Sequence, residues 1–276
     1  MSKITAAEVN NLRKQTGAGM MDCKKALVEA DGDFDAAVEF LRKKGQKVAA
    51  KRGDNEASEG LVIAKANEAG TSGVIVKINC ETDFVAKNDE FGKFAHSIVD
   101  IALAKGIGNT EDLNKEDAGG ISVEDKVTEQ IGKIGEKIQL SEVAKVDADH
   151  VEAYNHPGNQ VASLVGLNKA GDKIAEAGRD VAMQIAAMNP VALNQEGVPQ
   201  SVIDKEVEIG MDTARQEGKP KEMLEKISRG KLNKFFKENT LLDQAFIKDN
   251  KLSVSKYLNS VESGLTVTEF KRFSLQ

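Results

Sequence analysis

Apolar positions change period along the chain, and each change marks a new kind of element. Over residues 1–45 they recur at three- and four-residue intervals, as on short amphipathic helices. The first helix is predicted over 6–15, with Thr5 as N-cap, Glu8 completing a capping box, and Val9 and Leu12 on its apolar edge. "TGAG" (16–19) breaks it. A second helix follows over 21–30, with Cys23, Ala26 and Leu27 at helical spacing, and "DGD" (31–33) turns the chain. Asp33 caps a third helix that carries Ala36, Ala37, Phe40 and Leu41 and is expected to end at Gly45. Residues 43–60 are polar, with five basic residues between Lys43 and Arg52 and no aromatic; they read as a solvated helix or linker. From residue 60 the period is two. "GLVIAKA" and "GVIVKINC" flank "NEAGTSG", a hairpin in which Val74, Val76, Ile78 and Cys80 share one face while Lys77 and Asn79 point away. Asn88 then caps a helix to about Lys105, with Phe91, Phe94, Ala95, Ile98 and Ala102 on its buried face and Gly106 as its stop.

A weaker copy of this hairpin-then-helix unit follows at 150–168 and 173–190, closed by Pro190. Residues 201–236 instead form two helical arms around "EGKP". Ile203, Val207, Gly210 and Ala214 mark the seam of the first arm; Met223, Leu224, Ile227 and Phe235 mark one face of the second. The first arm (203–217) has five acids and two bases, the second (219–237) seven bases and two acids, so the two are suited to pair as an antiparallel hairpin. "GLTVTEFKRF" (264–273) reads as a last strand returning to a sheet. Together these elements predict an α+β chain.

One residue fits neither period. Phe84 lies in the polar connection "NCETDFVAKNDEF" (79–91), off both apolar faces, and Lys87 rather than Phe84 holds the staple position of the next helix. Pattern alone leaves it as a core residue or as an exposed anchor of the kind that makes a protein–protein hot spot.

Composition narrows the function. The net charge is −6 and the sequence pI about 5.4, which argues against a nucleic-acid or acidic-membrane surface. The polar start argues against a signal peptide, and no run has the length of a membrane span. Cys23 and Cys80 stand alone, which points to a reducing, cytoplasmic setting. His96, His150 and His156 have no metal-ligand spacing, no phosphate loop is present, and "GIGNTED" (106–112) lacks the third glycine of a dinucleotide motif. No cofactor and no catalytic set is expected.

"TGAGMMDCKKAL" (16–27) and "TDFVAKND" (82–89), in this order and at this distance, together with "GKPKE" (218–222), resemble bacterial elongation factor Ts over nearly the whole chain. That family is the guanine-nucleotide exchange factor of elongation factor Tu. The resemblance implies a ubiquitin-associated-like three-helix domain with a basic linker (1–54), an α+β subdomain at 55–146, and a second at 147–276. The second would carry a protruding coiled-coil insertion at about 201–236. It implies that Thr82, Asp83, Phe84 and Val85 reach into the GTPase near its nucleotide and help dislodge Mg²⁺, and that Leu12, Met20 and Met21 dock on another surface. His156 would meet a further domain, with Pro157 standing in a loop the family usually writes His-Gly. It also implies no direct nucleic-acid or membrane partner, and a heterodimer or dimer of heterodimers as the assembly. Some family members continue beyond the equivalent of Gln276 with another helical module. Two other readings remain at this point: an adaptor built on the N-terminal helices, and an acid–base enzyme using Glu81 and Asp83 from one side of an extended strand.

Overall fold

The computed structural model describes residues 4–275; residues 1–3 and Gln276, the outer ends of the first and last expected domains, lie outside it. The N-terminal helices are α1 (Ala6–Thr16), α2 (Met20–Glu29) and α3 (Phe34–Arg52). The capping box on α1 forms as expected: the Glu8 carboxylate accepts from Thr5 N at 2.7 Å, and Thr5 Oγ1 accepts from Glu8 N at 3.3 Å. Val9, Leu12, Cys23, Ala26, Leu27 and Ala37 form the small core between the three helices.

Helix α3 does not stop at Gly45, and the basic stretch through Arg52 is helical rather than a linker. Gly45 has a packing role. It meets Gly132 of α7 (Val123–Ile134), so closely that a Cβ on Gly45 would stand 2.7 Å from Thr128 O, and one on Gly132 2.8 Å from Gly45 Cα. A helix-interior glycine costs about 1 kcal/mol against alanine; here it lets two helices touch backbone to backbone. Arg42 and Glu129 flank the contact as an ion pair at 3.0 Å.

The predicted hairpin is β1 (Glu59–Ala66) and β2 (Ser72–Cys80), antiparallel. A third strand, β3 (Ile138–Asp147), pairs with β2 to give the order β1-β2-β3. Between β2 and β3 lie α4 (Asp83–Ala86), α5 (Asp89–Lys105), α6 (Thr110–Lys115) and α7. The second sheet has β4 (His150–Asn155), β5 (Val161–Leu167) and β8 (Val267–Ser274) in the order β4-β5-β8, so the C-terminal strand returns to a sheet as expected. Helix α8 (Asp172–Met188) covers it, after which come α9 (Gln200–Gln216), α10 (Lys221–Asn239), the short ribbon β6 (Ala245–Phe246) and β7 (Asp249–Ser253), and α11 (Val254–Val261).

Three apolar layers hold this α+β arrangement together. The face of β2 with Val74, Val76, Ile78 and Cys80 packs on Phe91, Phe94 and Ile98 of α5 and on Val123, Val127 and Ile131 of α7. Val165, Leu167 and Val267 pack on Ile174, Val181 and Ile185 of α8. Between the sheets, Val62, Ala64, Ile75 and Val146 of the first meet Val151, Ala162 and Leu164 of the second. The first sheet is therefore buried on both faces, which accounts for the nearly continuous apolar run of "GLVIAKA". Asn79, expected to point to solvent, is buried instead, donating to Glu59 O at 3.1 Å and accepting from Ser141 Oγ at 2.6 Å. The free edge of β1 is closed by the turn after β4. Asn155 exchanges hydrogen bonds with the backbone of Ala64 at 2.8 and 2.9 Å, and Asn159 O accepts from Val62 N at 2.7 Å.

Helices α9 and α10 fold back on one another. Gly210 lies against Ser228, whose hydroxyl donates to Val207 O at 2.8 Å. The buried seam of α10 is Leu224, Ser228 and Phe236, with Met223 exposed. This departs from the Met223, Leu224, Ile227 and Phe235 face because the two small residues set the closest approach. The base of the pair is anchored by Ala192, Val198 and Phe236, with Val202, Ile203, Leu232 and Phe235 around them. Replacing 206–229 by a short Gly/Ser linker spares that anchor, so the thermal midpoint is expected to change little. A large fall would show that the outer arm carries core stability.

Candidate protein-docking site

Strand β2 ends at Cys80, and two residues later the chain makes one turn of helix. Thr82 is the N-cap, with extended backbone (φ −125°, ψ 152°) and a hydroxyl that accepts from Val85 N at 3.4 Å. The turn closes through Ala86 N to Thr82 O (3.2 Å), Lys87 N to Asp83 O (2.9 Å) and Asn88 N to Val85 O (3.0 Å). Asn88 at once caps α5, its Oδ1 accepting from Glu90 N at 2.8 Å. Val85 and Ala86 are drawn onto the core beneath. The same turn directs Phe84 away from the protein, leaving it 84% exposed, more than any other large apolar side chain among the described residues. Pattern left its place open; the structure puts it in solvent. Beside it, Asp83 pairs with Lys87 at 2.7 Å, and that ammonium holds its carboxyl below the usual range.

A polar knot supports the turn from below. Glu81 accepts from Arg52 at 2.8 and 2.9 Å, from Asn55 Nδ2 at 3.0 Å and from Lys137 N at 2.5 Å. The Lys137 amide, aided by Arg52 and Asn55, holds the Glu81 carboxyl below its ordinary value despite partial burial. Lys137 Nζ in turn donates to Gly53 O and Asn55 O at 2.7 and 2.9 Å. Glu136 accepts from Thr82 N at 3.1 Å and from Thr82 Oγ1 at 2.8 Å. Cys80 donates to Thr82 O at 3.2 Å, and burial, with Glu136 nearby, pushes its thiol up to about 12, which leaves little thiolate near neutral pH. Glu81 and Asp83 do not share a strand face, because Asp83 begins a helix, and both carboxylates are engaged by cations or amides. No group of carboxylates, cysteines and histidines among the described residues has the geometry of a metal site.

The other predicted residues fall in two places. Met20 and Met21, on the first turn of α2, are 58% and 74% exposed. Leu12, expected beside them at a docking surface, is instead 0% exposed at the centre of the three-helix core, so it presents no surface of its own. The loop before α2 rests on the end of α7: a Cβ on Gly17 would meet Lys133 Nζ at 2.7 Å. The segment after α7 is the one that carries Glu136. His156 is exposed on the β4–β5 turn, its Nδ1 3.1 Å from Tyr154 OH. A cleft of about 490 Å³ runs between this turn, at Gly158 and Asn159, and the start of α5, at Lys87, Asn88 and Asp89. Residues 86–89, which follow the Phe84 turn, and Gly158 and Asn159, which follow His156, thus flank one groove, while Met20 and Met21 stand on a separate unit joined to it by α3. Sequence reading missed Arg52, Glu136 and Lys137. Their partners lie 29, 54 and 56 residues away, and no local spacing signals such a pair.

Comparison with known proteins adds a lineage. The family model described as "Elongation factor TS" matches residues 81–276. The elongation factor Ts of Christiangramia forsetii is 60% identical over 275 residues, covering all of both chains. That of Flavobacterium psychrophilum is 52% identical over 275 residues, again over all of both chains. That of Amoebophilus asiaticus is 51% identical over 270 residues, or 98% of each.

Proposed function

The chain belongs to the elongation factor Ts family, and on that footing we propose that it is a guanine-nucleotide exchange factor for elongation factor Tu. In this reading it binds the GDP-loaded GTPase, disturbs the Mg²⁺ and nucleotide site, and promotes GDP release so that GTP can bind. The single observation that carries the reading is Phe84: a large apolar side chain held in solvent by a turn with a cap at each end. Such a group has no folding role to explain it and the rigidity a hot-spot anchor requires.

The mechanism needs no bond chemistry in this chain. A GTPase holds its diphosphate through Mg²⁺ and backbone amides, and a side chain wedged between its elements takes that constellation apart. Phe84 is the wedge; Thr82 caps the turn, Asp83 fixes its outer side through Lys87, and Val85 roots it in the core. Because binding couplings are reciprocal, a factor that loosens GDP must itself hold the GDP-loaded partner less tightly than the empty one. The His156 turn, across the groove, would meet a further domain of the partner. Helices α1–α3 support reading residues 1–54 as a ubiquitin-associated-like docking domain, and α9 with α10 as a coiled-coil arm reaching toward the partner.

The test is release of a fluorescent GDP analogue from elongation factor Tu. Strong acceleration by this protein is expected, and unchanged release overturns the reading. Met20→Ala with Met21→Ala is expected to raise the half-saturating concentration several-fold while leaving the saturated rate nearly unchanged, since these residues supply docking area away from the nucleotide. A titration of release rate against factor concentration separates the two; an equal fall in the saturated rate would contradict this division of labour.

A further inference from the structure

We infer that Glu136 is the positioning residue of the Phe84 turn; the inference rests on the exchange reading above and names a residue that reading does not use. Glu136 follows α7 and is remote in sequence from the turn it serves. Its two oxygens take the Thr82 hydroxyl at 2.8 Å and the Thr82 amide at 3.1 Å. An ionised carboxylate only accepts, so the single hydroxyl proton of Thr82 is committed to Glu136. The hydroxyl lone pairs are then left to face Val85 N, the bond that caps α4. Glu136 therefore sets the polarity of the cap as well as its place. Without it the four-residue turn keeps its backbone bonds and the Cys80 contact to Thr82 O, but loses the side chain that holds both the hydroxyl and the amide of Thr82 and so fixes how Phe84 is presented.

The surrounding contacts make this more than a local cap. The next residue, Lys137, gives its amide to Glu81 and its ammonium to the carbonyls of Gly53 and Asn55, while Arg52 at the end of α3 grips the same Glu81. The segment 136–137 thus ties together the end of α3, the end of β2 and the start of α4. A wedge works by entering at a fixed angle, and misplacement of a reacting or docking group by about 1 Å can cost about 100-fold in rate.

The chain contains no tryptophan, so Phe84→Trp places a single fluorescent probe on the turn of the full-length protein. Adding Glu136→Gln to that protein is expected to lower the steady-state anisotropy of the indole, with the urea midpoint nearly unchanged. In the unlabelled protein, Glu136→Gln is expected to lower the saturated rate of GDP release from elongation factor Tu about tenfold, the size of one charge-assisted hydrogen bond. The half-saturating concentration should move less than about twofold. Thr82→Val removes the hydroxyl's bond to Glu136 together with its cap on Val85 N and should lower the saturated rate at least as far, Thr82→Ser should restore it, and the double variant should be no worse than Thr82→Val alone. Wild-type anisotropy and rate in Glu136→Gln would overturn the assignment. So would a raised half-saturation with an unchanged maximal rate, which would make Glu136 a docking contact. A comparable loss of urea midpoint in both Glu136→Gln and Thr82→Val would also overturn it, by making the pair a stability element. Phe84→Ala serves as the separate control: if it leaves exchange intact, the exchange reading of the turn fails, whatever Glu136 does.

Discussion

Phe84→Ala is expected to lower the saturated rate of GDP release from elongation factor Tu by about 30- to 1000-fold, the range of a hot-spot truncation. The urea midpoint should barely move. At 84% exposure the ring contributes little burial in the free protein, and the residues that hold the turn are Thr82, Val85, Ala86 and Asn88. A core phenylalanine behaves in the opposite way, losing about 3–5 kcal/mol of stability on truncation. One urea melt and one release assay therefore separate the two roles. A strongly lowered midpoint with normal exchange by the folded variant would return Phe84 to the core and remove the residue on which the proposed mechanism depends. Asp83→Ala should cost less than Phe84→Ala, because the cap on the turn comes from Thr82 and the Asp83 carboxylate is engaged by the exposed ammonium of Lys87.

Leu12→Ala is expected to have the second-largest effect, and through stability. Leu12 is fully enclosed by a core with few other large side chains, so the cavity cannot be refilled cheaply. A loss of about 2–5 kcal/mol is expected, enough to open helices α1–α3 locally, since so small a unit has little stability to lose. Affinity for the GTPase should then fall because Met20 and Met21 lose their platform, although Leu12 itself faces inward. Leu12→Met keeps volume and apolarity and should retain both fold and affinity. Hydrogen exchange of the α1–α3 amides, read beside the half-saturating concentration, checks this. Weakened binding by Leu12→Ala with full amide protection would instead make Leu12 a direct contact.

Much of the architecture was readable because local pattern and burial agree. Helices α5, with its Phe91–Ala102 face, and α8 each present one apolar face to one core, so a single period identifies them, while the β1–β2 and β4–β5 hairpins, buried on both faces, show as short apolar runs on either side of polar turns. The failures share another cause: the deciding partner is distant in sequence. Gly45 looks like a helix stop until Gly132 is seen against it. Asn79 looks exposed until Glu59 O and Ser141 Oγ, on the strands to either side, are seen to engage it. Strand β3, with its mixed pattern, is not legible in the sequence, and α7 shows there only as Val123, Val127 and Ile131 repeating every four residues. At the candidate site, Phe84 stood out in the sequence because it broke both periods. Whether it was buried was not readable, nor was the Glu136–Thr82 support, since neither depends on neighbours along the chain.

Strand β8 pairs with β5, yet residues 168–266 are made between them. The first sheet is complete in sequence by Asp147, whereas the second must wait for its third strand. At about 5–20 residues per second, a ribosome takes roughly 5–20 s to cover that gap. Throughout it the nascent "VASLVGL" strand has one unpaired, strongly apolar edge. The Asn155 and Asn159 contacts can already moor the young β4–β5 hairpin to β1, but they leave that edge bare. Maturation of this protein is thus vectorial, and the interval before β8 emerges is when a stalled or overexpressed chain is most exposed to aggregation.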